Sequence, residues 1–148
     1  MTSLILPRGQ RLQMEAEARA AFPRECCGLV EGMRVGGAIV VMAVHPSPNR
    51  AATPDAFEID PALQIRLLRE LRGTGREIVG CYHSHPNGAS DPSPRDRAGA
   101  AEAGAVWLIT ALSRESAATR AFLFDGSDFQ PLPITPTASL DPARGPRL

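Results

Sequence analysis

Glu77-Ile78-Val79-Gly80-Cys81-Tyr82-His83-Ser84-His85-Pro86, followed after a Gly/Pro/Ser/Asp loop by Ser93-Pro94-Arg95-Asp96, is the stretch on which the fold turns. A short apolar strand runs straight into two histidines one residue apart. Side chains alternate along a strand, so both imidazoles leave on one face and can reach one metal ion. Ser93 reads as a helix cap, Pro94 as the first helical residue, and Asp96 as the acidic residue that favours a helix start. If that helix returns Asp96 to the imidazoles, the result is a His83, His85, Asp96 set with open positions. Three protein ligands plus water is the layout of a catalytic zinc, whereas a structural zinc is closed by four. Each half has a plain alternative. A His-x-His pair alone is weak evidence, and Ser93-x-x-Asp96 is fully explained as a cap. Cys81 alternates with the histidines and is a conceivable thiolate ligand, but no other cysteine lies nearby, so a buried structural role suits it better. His45, ahead of Pro46, has no partner pattern and reads as a surface or turn histidine.

Working outward, strand-like and helix-like segments alternate, the signature of an α/β or α+β layer. Residues 10–22 read as a helix with Leu12, Ala16 and Ala20 on one face, stopped by Pro23. Residues 26–31 and 38–44 read as strands joined through glycines. Asp60-Pro61 opens a second helix with Ile65, Leu68 and Leu71 as its apolar stripe, closed by Gly73. A third helix is expected from Pro94 to about Ala103, then strands at 105–111, 119–124 and about 128–134. Five prolines fall from Pro131 onward. The expected organisation is one domain over 1–134 and a loose proline-rich tail over 135–148.

At 148 residues, 43% of them apolar and 22% charged, the chain can bury one real core. Sixteen basic residues, all arginine, balance sixteen acidic ones, so no global charge draws it to nucleic acid or an anionic membrane. No apolar run approaches the ~20 residues of a membrane span. The first residues lack the basic start of a secretory signal. Three cysteines, two adjacent, make no disulfide framework. A soluble cytoplasmic domain is the expectation.

Zinc-assisted hydrolysis also needs a base near the attacking water, usually a Glu that does not itself bind the metal. Glu25, Glu31, Glu58 and Glu77 are available. Glu25 leads, because a carboxylate followed directly by Cys26-Cys27-Gly28 is an odd choice for a merely solvated position.

With these residues in place the chain resembles the JAMM family, also called MPN-plus or JAB-domain metalloproteases, in its prokaryotic form. The pattern is a distant Glu (Glu25), His-Ser/Thr-His-Pro (His83 to Pro86), six spacers, and Ser-x-x-Asp (Ser93, Asp96), matched here without departure. Flanking stretches are similar too: Glu25 to Gly32, His45-Pro46 with Asn49, Phe57-x-Ile59-Asp60, and Gly80-Cys81-Tyr82. The likeness covers about residues 4–134.

The resemblance implies an α/β (α+β) fold, a curved mixed β-sheet flanked by helices with cytidine-deaminase-like layering. It implies one Zn2+ per chain on His83, His85 and Asp96, with Glu25 as proton carrier and Ser93 as donor to the developing oxyanion. The implied activity is hydrolysis after the C-terminal Gly-Gly of a ubiquitin-like or sulfur-carrier β-grasp partner. Domains of this type often pair, so a homodimer is among the expected partners; nucleic acid and membrane are not. The rival readings are a RadC-like protein, a phage-tail-type JAB protein, a structural zinc module and a non-catalytic MPN scaffold.

Overall fold

The computed structural model describes residues 2–137. In chain order the elements are β1 (Ser3–Pro7), α1 (Arg8–Ala21), β2 (Cys27–Val35), β3 (Ala38–Ser47), α2 (Pro61–Leu71), β4 (Glu77–His85), α3 (Pro94–Gly99), β5 (Val106–Leu112), β6 (Ala117–Phe124), β7 (Phe129–Leu132) and β8 (Ile134–Thr137). The eight strands form one mixed sheet in the order β7-β6-β5-β4-β2-β3-β1-β8. The pairs β4–β5, β1–β3 and β1–β8 are parallel; the rest are antiparallel.

Alternation along the central strands sorts the core onto two faces. Val30, Tyr82, Val106 and Leu108 point to the face covered by α1, where Met14 joins Leu4, Leu6, Ile39 and Val41. Leu29 and Cys81 point the other way, to Leu63 and Leu67 of α2. Farther along that second face Trp107 and Ile109 pack with Phe122, Phe124 and Phe129. Tyr82 is fully buried and donates its hydroxyl to Glu17 Oε1 at 2.6 Å. Gly28, its cross-strand partner, leaves room for that ring, because a β-carbon there would collide with it.

Both long helices bury a different face from the one their apolar residues suggest. α1 turns Met14 and Ala18 inward and leaves Leu12 at 46% exposure. α2 packs through Leu63 and Leu67, with Leu71 partly buried, while Ile65 and Leu68 stay more than half exposed. The sequence of α2 offers two stripes. Its start is anchored at the cap: Asp60 accepts the Ala62 N–H, donates its own N–H to Ser47 Oγ, and pairs with Arg50. Helix α3 stops at Gly99, short of the expected Ala103, after a last bond from Ala100 N–H to Asp96 O. Glycine is a poor residue for extending so short a helix.

Two strands were not expected. β1 lies between β3 and β8, and β8 reaches Thr137, so residues 135–137 belong to the sheet and not to a tail. Leu4 to Pro7 pair in register with Ile134 to Thr137 and give these residues a ladder. The rest of the expected tail, 138–148, lies outside the described residues. Pro131 sits in β7 and Pro136 in β8, the two outermost strands. No helix among the described residues is long and apolar enough to cross a membrane.

Candidate active site

The end of β4 and the start of α3 build the site. His83 and His85 leave β4 on the α2 face, and both are almost fully buried. Ser93 Oγ accepts the Asp96 N–H at 3.1 Å, while an Asp96 side-chain oxygen accepts the Ser93 N–H at 2.9 Å, a reciprocal capping box. The cap and the site use one carboxylate. Asp96 Oδ2 also lies 3.1 Å from His83 Nε2 and 3.0 Å from His85 Nε2, and the two Nε2 atoms are 3.1 Å apart. One short helix thus places Asp96 beside both imidazoles.

The tautomers decide what this cluster can bind. His85 Nδ1 lies 2.9 Å from the Ala89 carbonyl, which can only accept. Neutral His85 must therefore carry its proton on Nδ1 and turn a bare Nε2 lone pair toward the Asp96 carboxylate. Acceptors facing each other repel unless a proton or a cation lies among them. His83, His85 and Asp96 form a buried group whose ligand atoms all lie within 4.8 Å of one another, and its two imidazoles and one carboxylate suit a zinc ion. His83 is held from the side: the Phe57 ring stacks on it at 4.2 Å and Trp107 meets it edge-on at 5.8 Å. Its Nδ1 is buried without a partner.

Electrostatics follow from the same contacts. Burial holds the His83 imidazole below its ordinary value, outweighing Asp96. Burial also opposes charge on His85, but its bonds to Asp96 and the Ala89 carbonyl prevail and raise it. Asp96 is buried too, yet its close contacts with the His83 and His85 imidazoles hold its carboxyl well below the usual range.

Glu25, in the turn between α1 and β2, lines a cavity of about 460 Å³ together with His85, Ser93, Pro54 and Asn87. It is 7% exposed. Burial pushes its carboxyl from 4.5 up to about 7, against the lowering effect of His85. Because the folded state holds that proton more tightly, Glu25 costs nothing below pH 4.5 and progressively destabilises the fold as pH rises through about 7. Metal-stripped protein is thus expected to lose stability over that range relative to Glu25→Gln, by about 3 kcal/mol, with a matching fall in melting temperature. Parallel melting curves for the two proteins would contradict the burial argument.

Of the other acidic candidates, Glu31 and Glu77 are engaged elsewhere, and Glu58 is exposed. Glu31 is buried between Arg76, 3.1 Å, and His45, 2.9 Å, which makes His45 a paired strand residue of β3 and corrects its reading as an unpartnered turn histidine. Glu77 pairs with Arg34 near the surface. Cys81 lies in a separate cavity of about 270 Å³ that Asp96 also borders, among Phe57, Ile59 and Trp107. Burial raises its thiol, which argues against a thiolate there. Sequence reading gave no role to Phe57, Asn49 or the Ala89 carbonyl; only the first two lay in stretches already noted.

The chain matches the family described as prokaryotic homologs of the JAB domain over residues 7–124. It is 37% identical over 112 residues to a Haloferax volcanii protein named desampylase, an alignment spanning 67% of this chain and 79% of that protein. A Thermus thermophilus protein named probable TtuB-protein conjugate cleaving protease is 37% identical over 94 residues, 63% of this chain and 60% of that one. A solution structure of a Desulfitobacterium hafniense protein superposes with a TM-score of 0.83 at 30% identity, covering 93% of this chain and 95% of that one.

Proposed function

Since the chain belongs to the prokaryotic JAB-domain family, we propose that it is a zinc-dependent isopeptidase or peptidase that hydrolyses the bond after the C-terminal Gly-Gly of a ubiquitin-like or sulfur-carrier β-grasp protein. The relatives named for desampylase activity and for cleaving protein conjugates support the substrate class. The observation that carries the chemistry is the convergence of three potential ligand groups, the His83 and His85 imidazoles and the Asp96 carboxylate, beside a cavity lined by Glu25 and Ser93.

His83, His85 and Asp96 would hold the zinc, which when bound acidifies an attacking water and polarises the scissile carbonyl. Glu25 accepts that water's proton and hands it to the leaving amine. Its raised value, near neutral, suits a group that must both take and return a proton. Ser93 Oγ accepts the Asp96 N–H, which leaves its own hydroxyl hydrogen free to donate to the carbonyl oxygen as negative charge grows there. Asp96 fixes the histidines and, through the capping box, Ser93.

The test uses a β-grasp protein extended beyond its terminal Gly-Gly, with cleavage located by mass spectrometry and metal content by elemental analysis. About one zinc per chain, cleavage after the second glycine, and loss of cleavage on chelation with recovery on zinc addition are expected. Cleavage that survives complete metal removal would overturn the reading.

A further inference from the structure

We propose that Asn49 and Ser84 are positioning residues that clamp the single peptide unit between Glu25 and Cys26 and so aim the Glu25 carboxylate into the cavity. The inference rests on the assignment of Glu25 as the proton carrier.

Both polar atoms of that peptide unit are held by side chains. Asn49 Nδ2 donates to the Glu25 carbonyl oxygen at 3.0 Å, and Ser84 Oγ accepts the Cys26 N–H at 2.8 Å. The second bond departs from ordinary sheet pairing. The β2–β4 ladder pairs Cys27 with His83, so the next opposed residues are Cys26 and Ser84. Ser84 N–H donates to the Cys26 carbonyl at 3.1 Å, as a regular ladder requires. In a regular pair the Cys26 N–H would answer to the Ser84 carbonyl. It goes to the Ser84 hydroxyl instead. The ladder ends there, and the backbone is free to turn toward the cavity.

Ser84 can do this because it alternates with His83 and His85. The same three residues that direct two imidazoles to one face direct the hydroxyl to the other, where it is fully buried. Asn49 completes the clamp from the opposite side of the peptide. Its amide uses every direction it has: Nδ2 donates to Glu25 O and Ala56 O, and Oδ1 accepts from Ala51 N–H and Glu58 N–H. Reversing the amide would break all four bonds, so its orientation is fixed. Asn49 therefore ties the Glu25 backbone to the loop carrying Phe57, whose ring stacks on His83. Pro54 O, in the same loop, accepts the Glu25 N–H at 3.3 Å.

Three readings test this. The Cys26 amide should exchange with solvent at least ~10-fold faster in Ser84→Ala and regain protection in Ser84→Thr, which keeps the hydroxyl. The Glu25 carboxyl carbon resonance of metal-free protein should shift in Ser84→Ala and return in Ser84→Thr. On the extended β-grasp substrate, Ser84→Ala should lower kcat by about 10- to 100-fold with KM and zinc content unchanged. In a Glu25→Gln background it should cost nothing further, because it acts only through Glu25. Asn49→Ala should behave alike; if it does not fold, the Ser84 pair decides. Unchanged amide exchange and carboxyl resonance would overturn the clamp whether or not the protein cleaves anything. So would a loss that simply multiplies with Glu25→Gln. A wild-type protein that cleaves nothing, with both NMR signals moving as described, would count against the proposed activity and leave the clamp standing.

Discussion

Glu25→Gln is expected to keep its zinc and its fold and to lose at least ~100-fold in turnover, the lower range for removing a positioned general base. The substitution preserves shape and a polar end but cannot accept a proton. None of the three converging ligand groups is touched, since the cluster comprises His83, His85 and Asp96 alone. Fold retention is expected for a specific reason: a buried carboxyl pushed up to about 7 destabilises the protein when ionised, and the amide removes that penalty. The variant should therefore melt no lower than the wild type at neutral pH while cleaving far more slowly. A structural role predicts the reverse, lower stability with turnover per folded, zinc-loaded molecule preserved. Cleavage at the wild-type rate would sink the hydrolytic mechanism whatever the metal content.

Asp96→Ala should abolish zinc retention and cleavage together. Residues that merely support a metal ligand are worth ~10–100-fold in affinity, and a ligand should be worth more. This carboxylate also receives the Ser93 N–H and lies against both Nε2 atoms, so its removal strips the helix start and the histidines at once. His83→Ala should lose zinc equally while leaving the capping box intact. The informative control is Cys81→Ser, which shares the strand face with the histidines but sits in the neighbouring cavity. It should retain about one zinc per chain. Full zinc in both His83→Ala and Asp96→Ala would reject the assignment of the site, and loss in Cys81→Ser would bring that thiol into it.

What could be read in advance was what the chain encodes over short distances. The His83/His85 spacing with strand alternation, and Ser93 with Pro94 and Asp96 as a helix start, are local rules, and the structure brings both to one point. What escaped depends on distant partners. β1 is a strand because β3 and β8 lie on either side of it, and β8 forms by pairing with residues at the other end of the chain. The buried faces of α1 and α2 were misjudged because alanine and arginine leave two apolar stripes of similar strength, and packing chose between them. Glu31 and His45 are unrelated in sequence; the β2–β3 pairing makes them diagonal neighbours, and Arg76, just ahead of β4, completes the group. Asn49 carries no signal of its own; its four bonds exist only once the loop folds around it.

The prolines of β7 and β8 bear on how two copies of this protein could meet. Among the described residues these strands are the two rims of the sheet, and each carries a residue with no amide hydrogen at its interior: Pro131 in β7 and Pro136 in β8. A rim interrupted in this way is a poor template for an incoming strand, a common defence against proteins joining edge to edge. Self-association by extending the sheet from one molecule into the next is thereby disfavoured at both ends. Pairing is left to side-chain contacts, for which the described helices offer the exposed Leu12 of α1 and the exposed Ile65 and Leu68 of α2.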